Sequence, residues 1–305
     1  MSQLNLEESV SLRPVAHDTF ENVHHAWTWP RTATVPGGLM MGMATAAAHK
    51  TLPDGYALDN LHCQFLSGPK PDKPFTYRVQ RLSEGRRFRA RAVNIEQDGR
   101  YVASITMSFI SESPWSGPSM KHAVYQLAKE AVEQITIDDL EQGRGPTGGF
   151  MKFQRLPLIH STPQSPETTI KPVVAHIIGP MNAPAGTLPH ILGLLNLSDY
   201  HVLGTAPAVH GLDVGLPAIG DASRTLTRPN FKLYTSLNHT VHIHSYDFRA
   251  DEMTYIEVTT DWAADGRALM HSRLFSKAGQ LLASCVQEAY YVLKPEAQSH
   301  FGSKL

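Results

Sequence analysis

A single glutamine, Gln287, interrupts an otherwise small and apolar strand face near the carboxyl end of the chain. Residues 281–293, LLASCVQEAYYVL, have the composition of a long β-strand, in which alternate side chains share one face. The face of Gln287 also carries Ala283, Cys285 and Ala289. An amide both donates and accepts hydrogen bonds, and a buried one needs partners. Gln287 therefore either has a structural partner elsewhere in the chain or takes part in chemistry.

Several other catalytic arrangements are disfavoured by the sequence. No Gly-x-Ser-x-Gly segment is present, which argues against an α/β-hydrolase. His242 and His244 share a predicted strand face, but no third ligand accompanies them. We therefore predict a polar surface there and expect neither a metal nor another cofactor. The two cysteines, Cys63 and Cys285, lie in strand-like runs and are predicted to be reduced core residues.

The charge and the two ends of the chain limit its partners and location. A formal net charge of −1 gives no basis for a nucleic-acid or membrane-surface partner. The first residues lack the pattern of a secretory signal, and no apolar run reaches the roughly 18 residues of a membrane span. The chain ends in Ser303-Lys304-Leu305, an address that the peroxisomal import receptor reads. We therefore predict a peroxisomal protein that binds this receptor.

The first half of the chain has the pattern of one buried helix followed by an antiparallel sheet. The helix, residues 39–50, begins after Gly37-Gly38 and is apolar on nearly all sides, so it should be buried. Alternating apolar residues and turn signals then predict strands over 58–66, 75–82, 87–95 and 101–109. This combination indicates an α+β unit whose sheet wraps around the helix.

The second half repeats that pattern. A helix is predicted over 188–204, and strands are predicted over 235–244, 253–260, 268–275 and 281–293. Ala103-Ser104 matches Ala283-Ser284 at an offset of 180, and Leu61-His62 matches Asn238-His239 at an offset of 177. Matches at nearly one offset indicate a duplicated domain. We predict an N-terminal unit over 1–115, a linker over 116–150 with a helix over 119–142, and a C-terminal unit over 151–305.

A helix wrapped by a long antiparallel sheet, present twice, is the pattern of a double hotdog. The motifs of the first half are Gly37-Gly38, Leu61-His62, EGRRFRAR at 84–91 and QDGR at 97–100. Those of the second half are LSD at 197–199, SLNH at 236–239 and VQE at 286–288. In this order they resemble the acyl-CoA thioesterase II family, which includes TesB-like bacterial enzymes and peroxisomal acyl-CoA thioesterases. The resemblance covers residues 20–110 and 188–293.

The resemblance implies the hydrolysis of acyl-CoA to a free acid and CoA by direct attack of water, without an acyl-enzyme. Asp199, Ser236 and Gln287 occupy the positions of the family's water-holding residues. A carboxylate can take a proton from water, and a hydroxyl and an amide can fix that water in place. The residue of the first half aligned with Gln287 is Met107. This asymmetry favours one site, formed in the second half.

Further roles follow from the same resemblance. Backbone N–H groups at Gly37 and Gly38 would suit a developing oxyanion. Asn238 and His239 stand where the family often has Asp-His, and they are predicted to contact the substrate. Exposed sheet edges and the family resemblance together predict a homodimer or a larger homo-oligomer.

Two alternatives stay open at this point. A hotdog enoyl-CoA hydratase would need an Asp/His acid–base pair at a helix start, and no such pair is evident in the sequence. A catalytically silent acyl-CoA-binding protein would fit the loss of two polar residues. This chain has Asn238 where the family often has Asp, and Leu39 where it often has Gln.

Overall fold

The computed structural model describes residues 4–28, 35–120, 141–142, 150–162, 165–216 and 227–298. The α-helices of this part, α1 to α5, are Leu6–Ser9, Gly37–His49, Leu188–Ser198, Thr205–Val209 and Pro295–Gln298. Strands β1 to β7 are Leu12–Ala16, Thr19–Asn22, Tyr56–Phe65, Thr76–Glu84, Phe88–Gln97, Arg100–Ser111 and Glu141–Gln142. Strands β8 to β13 are Met151–Arg155, Lys171–Ile177, Phe231–Ile243, Thr254–Ala264, Arg267–Ser276 and Leu281–Leu293. Single 3₁₀ turns lie at Pro166–Thr168 and Val202–Gly204.

The strands of the described residues form one antiparallel sheet in the order β1-β2-β4-β5-β6-β3-β10-β13-β12-β11-β9-β8-β7. Strands from the first half of the chain fill one end of the sheet and strands from the second half fill the other. The two sets meet where β3 pairs with β10. One long helix from each half, α2 and α3, is buried against the sheet. The prediction of an α+β double hotdog is confirmed.

Helix α2 is apolar on all sides, as its sequence GGLMMGMATAAAH requires of a core helix. Its residues from Gly38 to Ala48 are all buried. A Cβ added to Gly38 would lie 2.8 Å from the Asn196 Cα, and one added to Gly42 would lie 3.9 Å from the Leu192 oxygen. Helices α2 and α3 therefore run antiparallel, and the start of α2 lies against the end of α3.

The strand register confirms the internal repeat and corrects part of the sequence match. Strand β3 has a β-bulge between Leu58 and Asn60 where it pairs with β6. Strand β10 has the same irregularity between Ser236 and Asn238 where it pairs with β13. Superposing the bulges sets the offset of these strands at 178, so the offset of 177 predicted from Leu61-His62 was wrong by one residue. The predicted match contained one identity, His62 with His239, and a single identity cannot fix a register that a bulge shifts.

The two halves are related by an approximate two-fold axis between β3 and β10. Adding the offset of 178 to Gln64 gives His242, and subtracting it from Asn238 gives Asn60. The pairs Gln64–Asn238 and Asn60–His242 both occur in the sheet. His62 and Thr240 pair across the axis itself, where the His62 Nδ1 and the Thr240 Oγ1 are 2.7 Å apart. The match of Ala103-Ser104 with Ala283-Ser284 at 180 agrees with this register.

Two predicted helices need correction or lie outside the description. The predicted helix 188–204 ends as an α-helix at Ser198, because Asp199 caps it and His201 adopts a left-handed backbone with φ of 57°. Most of the predicted helix 119–142 lies outside the described residues. Its last two residues, 141–142, form β7, a strand at the edge of the sheet.

Two further sequence predictions concern parts of the chain beyond the fold itself. The predicted targeting signal, Ser303-Lys304-Leu305, lies outside the described residues. Within the described residues, no helix is both long enough and apolar enough to cross a membrane.

Candidate active site

Asp199 stands where the two long helices meet. It caps the carboxyl end of α3, where partial negative charge from unpaired carbonyls disfavours a carboxylate. The amino end of α2 compensates this, because the Gly38 N–H donates a hydrogen bond of 2.9 Å to the Asp199 Oδ2. Pro36, the N-cap residue of α2, supplies no side-chain cap. Asp199 therefore accepts a hydrogen bond from one of the N–H groups that a helix start leaves unpaired.

Gln287 joins Asp199 to Ser236. The Gln287 Nε2 donates to the Asp199 Oδ1 over 2.9 Å and to the Ser236 Oγ over 2.7 Å. Both amide hydrogens are thereby used. The Gln287 side chain is 1% exposed, and its Oε1 is buried without a hydrogen-bond partner among the described residues. The structure thus brings together the three residues that the sequence placed in the site.

The β-bulge in β10 decides which residues of that strand face the site. Ser236 pairs with Ala289, and His239 pairs with Gln287. Regular alternation would put Ser236 and His239, three positions apart, on opposite faces of the sheet. The extra residue of the bulge returns both to the inner face. Sequence periodicity contained no signal for this.

Asn238 is the predicted site residue that the structure does not bring into the cluster. Its Nδ2 donates to the Glu288 Oε2 over 2.9 Å, and Arg267 binds the other oxygen of the same carboxylate. Asn238 pairs with Glu288 in the register, next to the His239–Gln287 pair. Because successive strand residues point to opposite faces, Asn238 points away from Asp199.

His239 lies closer to Asp199 than the sequence indicated. Its side chain is fully buried, and its Nδ1 is 3.8 Å from the Asp199 Oδ1. Neither ring nitrogen has a hydrogen-bond partner among the described residues. Sequence spacing contains no signal for this Asp/His pair, because the two residues lie on different elements.

Both cysteines are buried and free, as predicted. Burial raises the pKa of the Cys285 thiol to about 12, and the nearby Asp199 carboxylate adds to the shift. Burial likewise raises the pKa of Cys63 far above its usual value, again with a smaller contribution from Asp199. A thiol with a raised pKa forms little thiolate at neutral pH and is a poor nucleophile. Neither cysteine therefore suits covalent catalysis.

Comparison with known proteins decides the family. A model of the acyl-CoA thioesterase N-terminal domain matches residues 25–110, and a model of the C-terminal domain matches residues 130–291. The chain belongs to the acyl-CoA thioesterase family. This confirms the resemblance found in the sequence and the prediction of a thioester hydrolase.

Similar proteins match either most of this thioesterase or part of it. Acyl-coenzyme A thioesterase 8 of Mus musculus is 27% identical over 301 residues, which cover 94% of this chain and 88% of that protein. The peroxisomal acyl-coenzyme A thioester hydrolase 1 of Saccharomyces cerevisiae is 25% identical over 122 residues, covering 40% of this chain and 35% of that protein. The acyl-CoA thioesterase II TesB2 from Mycobacterium marinum has the same fold, with a TM-score of 0.68, 21% identity and coverage of 95% and 98%.

The helix contact beside Asp199 gives a prediction with a matched control. Gly38→Ala in this thioesterase places a methyl group 2.8 Å from the Asn196 Cα and 3.1 Å from the Asp199 Cβ. Neither neighbour is the end of a flexible side chain, so the helices must move apart. We expect a Tm lower by about 5 °C and a kcat lower by about tenfold, because Asp199 is displaced. Thermal unfolding and thiol release from acyl-CoA measure the two effects.

Gly42→Ala is the control for that substitution. The added methyl group would lie 3.4 Å from the Asn196 Nδ2 and no closer to any other atom outside its helix. Replacing glycine by alanine in a helix interior stabilises it by up to about 1 kcal/mol. We expect an unchanged or higher Tm and wild-type kcat. Equal effects of the two variants would show that the contact at Gly38 does not position Asp199.

Proposed function

We propose that this thioesterase hydrolyses acyl-CoA by direct attack of a water held by Asp199, Ser236 and Gln287. The observation that carries the proposal is the chain of hydrogen bonds from Gly38 through Asp199 and Gln287 to Ser236. The buried and unpaired Gln287 Oε1 adds an acceptor beside the same carboxylate. Together these groups offer a base and both kinds of hydrogen-bonding atom to one water.

In the proposed reaction the water oxygen forms a bond to the thioester carbon while Asp199 takes a water proton. The negative charge passes to the carbonyl oxygen. As the resulting tetrahedral species collapses, the carbon–sulfur bond breaks and CoA leaves as a thiolate. Asp199 then returns its proton to the thiolate, so that one acyl-CoA and one water give one acid and one CoA. Groups positioned in advance remove orientation entropy from the barrier.

The amino end of α2 is the proposed place for the carbonyl oxygen. Partial positive charge at a helix start favours a developing oxyanion. The Gly38 N–H is engaged by Asp199, so Gly37 is the better candidate donor. A Cβ at Gly37 would lie 2.6 Å from the Phe65 ring and 3.2 Å from the Asp199 Oδ2. A side chain at this position would collide with Phe65 and crowd the Asp199 carboxylate, so the close approach of the α2 start to Asp199 requires glycine.

A thiol-release assay with a panel of acyl-CoA esters tests the proposal. We expect CoA release with at least one member of the panel and no acyl adduct on the protein by intact mass spectrometry during turnover. An acyl adduct that forms and is hydrolysed during turnover would contradict direct attack by water. Tight binding of acyl-CoA without CoA release would support the catalytically silent alternative.

The Asp199–His239 pair favours one second candidate, the enoyl-CoA hydratase. The structure places these side chains 3.8 Å apart beside the start of α2, which is the pair that hydration chemistry requires. An enoyl-CoA belongs in the same panel for this reason. Loss of its conjugated double-bond absorbance without thiol release would identify a hydratase instead of a thioesterase.

We also propose import into peroxisomes through Ser303-Lys304-Leu305. The three residues form a peroxisomal address, and the matched relative of Saccharomyces cerevisiae is named a peroxisomal hydrolase. A fluorescent protein fused to the amino end should colocalise with a peroxisomal marker, whereas deletion of the last three residues should leave the fusion diffuse in the cytosol. Unchanged localisation of the deletion variant would contradict the proposal.

Two structural predictions accompany the proposed function. The unit boundaries, at 1–115, 116–150 and 151–305, place one hotdog in each half with a linker between them. The homodimer is proposed from the exposed edge strand β1 and from the family resemblance, since unpaired edges favour association.

A further inference from the structure

His239 is a buried polar side chain without a structural reason for its polarity. It is fully buried on the inner face of β10, and both ring nitrogens lack hydrogen-bond partners among the described residues. Its cross-strand neighbours are Gln287 on one side and Cys63 on the other. Burying unpaired ring nitrogens costs free energy that an apolar side chain avoids. A purely structural residue at this position would therefore be apolar.

The first half of the chain contains that apolar alternative. Leu61 occupies the position equivalent to His239 under the offset of 178, since Leu61 pairs with Met107 as His239 pairs with Gln287. Leu61 is also fully buried. The same strand, with the same bulge, thus accepts a leucine at this point. The imidazole occurs only in the half that contains Asp199.

His239 lies beside the carboxylate proposed as the base. The His239 Nδ1 is 3.8 Å from the Asp199 Oδ1, the oxygen that Gln287 also binds. A movement of about 1 Å would bring the nitrogen within hydrogen-bond distance. Catalytic hydrogen bonds are often long before substrate binds and shorten in the complex. The distance is therefore consistent with a contact that forms during the reaction.

We propose that His239 is a positioning residue for this hydrolysis, holding the Asp199 carboxylate in the orientation that receives the water proton. The inference rests on the proposed function and adds a fourth group to it. His239 acts through Asp199 and through its Nδ1, which together with Gln287 fixes the Oδ1. Gly38 fixes the other oxygen from the opposite side. The carboxylate is then restrained at both oxygens by groups from three elements, α2, β10 and β13.

Two substitutions separate this role from packing. His239→Leu inserts the residue that the first half already carries, so the fold should persist. We expect kcat to fall by about 10- to 100-fold, as for loss of a hydrogen bond to a charged group, with KM within twofold of wild type. His239→Asn restores a polar atom where the Nδ1 stood and should recover at least a third of wild-type kcat. Thiol release measures both variants, and thermal unfolding confirms that they are folded.

Val241→Ala is the control for general disturbance of β10. Val241 is fully buried two positions further along the strand, on the same face. The Val241→Ala variant should have a lower Tm, because the substitution leaves a cavity, and an unchanged kcat. Wild-type kcat in His239→Leu would overturn the proposal, as would a change confined to KM. If the leucine variant does not fold, equal kcat in His239→Asn and His239→Gln would overturn it, because Gln places its amide at the Nε2 position. Inactive wild-type enzyme would instead contradict the proposed function.

Discussion

Asp199→Asn should reduce kcat for acyl-CoA hydrolysis by about 10³-fold, in the range expected when a general base is removed. The substitution keeps the size of the side chain but removes its capacity to take a proton from water. It also removes one of the two carboxylate oxygens, of which one accepts from the Gly38 N–H and the other from the Gln287 Nε2. The NH₂ group of the introduced asparagine would face either the Gly38 N–H or the Gln287 Nε2, so that two hydrogen-bond donors would oppose each other. Steady-state thiol release should show the fall in kcat at saturating substrate.

The control for this variant is Asp72→Asn, which makes the same change at an exposed position. It should leave kcat within twofold of wild type. A second result is needed to separate chemistry from binding: the affinity of Asp199→Asn for acyl-CoA, measured by calorimetry, should stay near that of wild type. If the variant hydrolyses acyl-CoA at the wild-type rate, Asp199 is not the base and the site assignment fails.

Gln287→Met should reduce kcat by about 10²-fold, as for the loss of a preorganised hydrogen-bond donor. Methionine is the natural residue at the equivalent position of the first half, where Met107 is buried. The strand should therefore accept it without unfolding. The substitution removes both donors that join Asp199 to Ser236 and also the unpaired Oε1 beside them. Thiol release and thermal unfolding together measure the effect.

Glu288→Gln is the matched control, because Glu288 is the next residue on β13 and points to the opposite face. It binds Asn238 and Arg267, away from Asp199, so kcat should stay within twofold of wild type. The double variant Asp199→Asn/Gln287→Met should be no slower than Asp199→Asn alone, because residues that act as one unit lose their effect together. Fully multiplicative losses would show that the two residues act independently.

Local pattern determined much of the fold. The alternation in 281–293 predicted β13, and the structure gives Leu281–Leu293. The apolar residues after Gly37-Gly38 predicted a buried helix, which is α2. Such predictions succeed because strand and helix periods express which side chains face the core. The order of motifs in both halves, rather than any one motif, predicted the double hotdog and the family.

The sequence predicted which residues form the candidate site but not how they contact one another. Asp199, Ser236 and Gln287 were named from the order of family motifs, but nothing in their spacing gives their contacts. Asp199 lies 88 positions from Gln287, and Gly38 lies 161 positions from Asp199. These contacts depend on how two helices cross and how the halves of the sheet join, which no local period contains.

The bulge in β10 shows the difference between what sequence periodicity predicts and what strand pairing decides. The sequence by itself determined that residues 235–244 form a strand with alternating faces, and strict alternation would group Ser236 with Asn238 and separate both from His239. Only the pairing of β10 with β13 inserts the extra residue that turns Ser236 and His239 inward together and leaves Asn238 to bind Glu288. A bulge is set by the register of two strands and not by the composition of one. The hydrogen bonds of the Gln287 amide to Asp199 and Ser236 are therefore determined by the tertiary structure alone.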